Sequence, residues 1–132
     1  MPVTALDPRY PIGEYAPQPF SIPRKVEWLA DIKFLPLQLE NAVLNLDEAQ
    51  LHTAYRDGGW TLQQVIHHVA DSHINAYCRF KLALTEDNPT IKPYVEDLWV
   101  KTQENEILPI SVSLQIIAAM HLKLVTTDIL ET

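Results

Sequence analysis

Proline placement constrains this chain more than any other feature of its 132 residues. Six of the ten prolines, Pro2, Pro8, Pro11, Pro17, Pro19 and Pro23, fall within the first 23 positions. Proline fixes φ and removes a backbone donor, so this stretch reads as an extended, irregular arm. Tyr10, Ile12, Tyr15 and Phe20 are spaced along it and are expected to anchor it to a core or to a partner subunit. Downstream, proline is sparse enough to permit long helices.

Ser21 followed by Pro23 marks a helix start, and the spacing predicts a helix over 21–46. Val26, Leu29, Phe34, Leu37, Val43 and Leu44 supply its apolar face, and Pro36 is expected to kink or divide it. Asp47 and Glu48 begin a polar connection ending in Tyr55-Arg-Asp-Gly-Gly-Trp60. Thr61 with Gln64 matches a capping box and opens a second helix over 61–84, which Thr85-Glu-Asp-Asn-Pro89 stops. A proline-containing connection follows, with one helical turn near 95–101. Ser113 is the expected cap of a third helix through Leu114, Ile117, Met120, Leu124 and Leu130 to the end. Its apolar positions spread over a wide arc, which calls for neighbours on more than one side. Strand-like alternation is missing, so the class is all-α. One domain spans 1–132, with 1–20 as the arm and 21–132 as the bundle portion.

Charge narrows the function. Ten Lys+Arg against seventeen Asp+Glu leave −7, which argues against nucleic-acid and anionic-membrane partners. No apolar run reaches the ~20 residues of a membrane span. The N-terminus lacks a basic stretch leading into an apolar core, and the lone Cys78 cannot form an internal disulfide. Cytoplasmic residence is the resulting expectation.

On a helical wheel the second helix divides into faces. Leu62, Val65, Val69, His73, Ala76 and Phe80 form the main apolar arc. Gln64, His68, Asp71, Ser72, Asn75 and Arg79 form a polar stripe, while Gln63 and Lys81 lie on a third side near His67 and Ile74. Either the stripe faces water, or Gln63 and Lys81 mark the wet side and the stripe points into a bundle pocket. Neutral imidazole is a strong ligand for divalent ions. Yet His67–His68 and His68–His73 lack the i, i+3 or i, i+4 spacing that aligns two ligands. His73 and His121 read as packed histidines, His52 as solvated and Cys78 as a small buried residue.

Tyr10-Pro-Ile-Gly-Glu-Tyr15, Tyr55-Arg-Asp-Gly-Gly-Trp60-Thr61, His67-His-Val-Ala-Asp-Ser-His73 and Arg79-Phe-Lys-Leu82 occur in that order. Together with Ile91-Lys-Pro-Tyr94 and the segment around His121, they resemble the YfiT branch of the DinB-like superfamily. That resemblance implies a four-helix bundle and a metal-dependent hydrolase working on a small-molecule substrate. Some relatives are instead bacillithiol-type thiol S-transferases. It further implies a homodimer and one divalent ion, Zn²⁺ or Ni²⁺, held by three histidines. His68 falls on the first ligand, the second histidine of the HHxADSH motif. The other two belong to an HxxxH motif on a fourth helix, and the sequence ends at Thr132 without it. The expectation is therefore a bundle lacking its C-terminal helix, with one ligand of three and weak metal affinity. The alternative is a non-catalytic helical module that pairs through its exposed third-helix face.

Overall fold

The computed structural model describes residues 6–126. Three long helices, α1 (Ile22–Val43), α3 (Leu62–Thr85) and α6 (Ile110–Thr126), carry the architecture. Between them lie the short helices α2 (Glu48–Leu51), α4 (Glu96–Trp99) and α5 (Gln103–Ile107). Among the described residues there is no strand, only one isolated bridge between Ala54 and Thr61. The all-α expectation holds. Nor is any described helix long and apolar enough to cross a membrane.

Local chemistry accounts for most element ends. The Ser21 hydroxyl accepts from the Arg24 amide at 3.2 Å and caps α1. Thr61 and Gln64 form the reciprocal box at the start of α3. Asp47 and Gln50 form a second such box that starts α2 inside the stretch expected to be an irregular connection. Helix α1 ends at Val43, before the expected 46, because Asn45 turns left-handed at φ +66°. Helix α6 begins at Ile110, just after Pro109, so Ser113 lies buried inside the first turns and is not a cap. The expected run to the chain end lies partly outside the described residues.

Of the two anchoring expectations for the arm, the structure bears on the one that concerns this chain's own core. The arm is irregular, with turns at residues 8–9 and 11–12, but Ile12 is 99% and Tyr15 86% exposed. Tyr10 and Phe20 are exposed too, so none of the four anchors the arm to this chain's own core.

Helix α6 lies between α1 and α3 and packs along both, with little direct contact between those two. Ile117 at its centre is fully buried, which stabilises the packing by about 1.5–3 kcal/mol. Pro36 does not divide α1. A proline removes the amide that would bond the carbonyl four residues back, here Ile32. That carbonyl instead accepts from His121 Nδ1–H of α6 at 2.5 Å. With Nδ1 committed as a donor, His121 presents Nε2 as the acceptor in its contact with His73 Nδ1–H of α3. The two imidazoles lie with nearly parallel planes. One histidine relay therefore ties all three long helices, and its origin is a proline.

Burial depresses the His73 pKa to about 4, with repulsion from His121 and then His68 adding to the effect. An unfolded histidine titrates near 6.5, so between the two values the unfolded chain binds the extra proton and stability rises with pH. Asp71, whose carboxyl is raised mainly by burial, works in the opposite direction. Thermal melts of the wild type should thus lose midpoint temperature as pH falls from 6.5 towards 4. A His73→Gln variant should lose less over the same interval, measured by circular dichroism.

Candidate functional site

Four of the ten buried side chains among the described residues are polar: His67, Asn105, Ser113 and His121. Each is hydrogen-bonded, as burial demands. His67, 1% exposed, donates from Nε2–H to the Leu108 carbonyl at 3.0 Å and accepts at Nδ1 from the Ser113 hydroxyl at 2.6 Å. These contacts set its tautomer and lock α3 against the start of α6. Asn105 Nδ2 donates to Asp71 Oδ2 at 3.0 Å and to the Trp99 carbonyl at 3.2 Å.

His68 breaks the pattern. Its Nδ1 is buried and has no hydrogen-bond partner. The ring is half-buried and packs against Trp60, with centroids 4.7 Å apart. Burial is the main cause that lowers its pKa below the ordinary histidine value, partly opposed by Asp71, Glu96 and Asp97. The imidazole is consequently neutral at physiological pH and able to offer a nitrogen lone pair.

The surroundings hold this ring in place. Gly58 sits at φ +69°, where a side chain would be strained, and a Cβ on Gly59 would come within 2.6 Å of Arg56 Cγ. The tight turn they permit delivers Trp60 to the face of His68. Trp60 Nε1–H then donates to Asp97 Oδ1 at 3.0 Å, fastening α4 over the same face.

The polar stripe of α3 is neither solvated nor a central pocket lining. Gln64, His68, Asp71, Ser72, Asn75 and Arg79 are all half-buried, and several of them meet the 92–105 segment. The third side, wet in the reading that put the stripe in a pocket, is instead a packed one: His67 with Ile66 and Ala70 is the most buried part of α3, against α6. Lys81 alone on that side is exposed. Placing the apolar arc by residue type missed this, because His67 counts as polar until its two partners are known. His73 and His121 are packed as expected. His52 is exposed, donating to the Glu48 carbonyl at 2.7 Å. Cys78 is exposed, contrary to expectation. Among the described residues no three His, Cys, Asp or Glu side chains gather into a metal site. The described residues do not complete a ligand set around His68.

Residues 35–125 match the sequence profile of the DinB superfamily. The chain belongs to the DinB superfamily. Among solved structures it is similar to YfiT from Bacillus subtilis, described as a probable metal-dependent hydrolase with an unusual four-helix bundle topology. The match has 42% identity and a TM-score of 0.86, covering 91% of this chain and 69% of that one. Proteins from Bacillus cereus (strain AH820) and Bacillus anthracis (strain A0248), provisionally named metal-dependent hydrolases, are 49% identical over 116 residues. Those alignments take in 87% of this chain, which spans 66% of the relatives' length.

Replacing Ser113 with Ala removes the hydroxyl donor to His67 and leaves a buried ring nitrogen unpaired. The loss should cost about 1–3 kcal/mol in chemical denaturation, with an unchanged denaturant slope.

Proposed function

We propose that this chain carries one ligand, His68, of a divalent-metal centre in a hydrolase of the DinB superfamily acting on a small molecule. The observation that supports it most directly is the buried, unpartnered His68 Nδ1. Every fully buried polar side chain has partners within the chain, so a nitrogen left bare suits a partner from outside it. The provisional naming of relatives at 49% identity supports the same reading. In the family resemblance, the remaining two donors are histidines of an HxxxH helix.

The residues around His68 have separate tasks. Trp60 holds the imidazole plane and limits water on one face. Asp97 fixes Trp60, and Asn105 fixes Asp71, one turn along from His68. A bound Zn²⁺ or Ni²⁺ would supply Lewis acidity and an activated water or thiolate. A protein acting by thiol transfer would turn over only with an added low-molecular-weight thiol, whereas a hydrolase needs water alone.

A second reading, a helical module that pairs with another copy, has its own support. On the third long helix, α6, Ile116 and Leu122 are exposed, and Val26, Phe34 and Leu37 are exposed along the neighbouring α1.

For the 132-residue chain, titration with Zn²⁺ should show weak binding, since prepositioned ligand sets provide most metal affinity. His68→Ala should abolish that binding while leaving the helical signal intact. Zinc affinity unchanged in His68→Ala would overturn the assignment.

A further inference from the structure

The 92–99 segment forms a strap over α3. At one end Arg79 donates to the Lys92 carbonyl at 3.4 Å. At the other, Asn105 joins the Trp99 carbonyl to the Asp71 carboxylate. Asp71, Asn75 and Arg79 follow one another at four-residue steps, so both tethers and the residue between them share one side of α3. Between the tethers the strap leaves a cavity of about 360 Å³ over Asn75. Tyr94 and Trp99 wall it as a tilted pair with centroids 5.0 Å apart, and Val95 and Leu98 add apolar surface.

We propose that this cavity is a binding site for an aromatic ring, and that it forms a specificity subsite for the substrate. Its link to catalysis rests on the His68 reading; the binding itself does not. The volume suits one ring with a short substituent, and tilted aromatic walls attract a third ring through edge-to-face contacts. Val95, Leu98 and Trp99, which line the cavity, are exposed apolar side chains that a ligand there would help to cover. Lys92 and the Asn75 amide supply polar groups for an oxygen substituent at the rim. Asn75 follows His68 by seven residues, a rise of about 10 Å along the helix. The ring site therefore lies on the same side of α3 as His68, beyond the Asp71–Asn105 tether.

The test uses the full chain labelled with ¹⁵N and titrated with benzyl alcohol, reading the indole N–H signals. A saturable shift at Trp99, not shared by Trp28 on α1, is expected. Tyr94→Ala should weaken binding about fivefold or more, the scale of one lost aromatic contact. His68→Ala should leave it within about twofold, because the two sites do not touch. If Tyr94→Ala loses its helical signal, Leu98→Asp at an exposed position serves the same purpose. Non-saturating drift common to Trp28 and Trp99 would overturn the proposal, as would unchanged affinity in the wall variant. Zinc titration of the same samples separates the two readings: zinc binding that survives in His68→Ala, with an intact benzyl alcohol isotherm, defeats only the metal assignment.

Discussion

The assembly of this chain depends on a carbonyl that a helix cannot use. Pro36 deprives Ile32 of its intrahelical partner, and the vacated acceptor draws His121 from the neighbouring helix. Because that bond commits one ring nitrogen of His121 as donor, the other must accept, and His73 supplies the proton. A local defect in α1 thereby sets the tautomers of two histidines and the relative placement of α1, α6 and α3. A purely apolar contact at this point would permit small slips between helices. A directional relay does not.

The second consequence concerns how polarity is distributed inside the molecule. His67, Ser113, Asn105 and His121 occupy positions where aliphatic side chains would be more usual, and all are bonded. Such pairing makes the helix contacts specific, at the risk that losing any one partner strands another buried group. His68 stands next to this network without joining it. Adjacent residues on a helix diverge by about 100°, so His67 enters the α6 interface while His68 turns towards Trp60 and α4. The same dipeptide therefore carries a structural histidine and a free nitrogen donor.

Around His68 the chain spends short elements on positioning. Helices α4 and α5 are too short to be stable by themselves, and they are held by Trp60 on Asp97, Asn105 on Asp71 and Arg79 on Lys92. These links make the strap a fixed wall and place the aromatic pair above Asn75. In the DinB superfamily setting, the arrangement joins a candidate metal ligand and a candidate ring site on one face of a single helix.

Much of this was readable from residue order. Capping chemistry is local, so Ser21 and Thr61 announced two helices, and prolines set the arm and the connections. The His67-His-Val-Ala-Asp-Ser-His73 motif carried the family and singled out position 68. Other features depended on residues distant in sequence. Ser113 reads as a cap until His67, 46 residues earlier, is found bonded to it. The tyrosines of the arm read as anchors to a core or to a partner subunit, and the described core does not receive them. Residue order thus determined helix identity and the family, because those rest on backbone chemistry and short-range pattern. Which side of α3 is buried, and which histidine is left unpaired, only the tertiary structure decided, because hydrogen-bond satisfaction belongs to groups brought together from different helices.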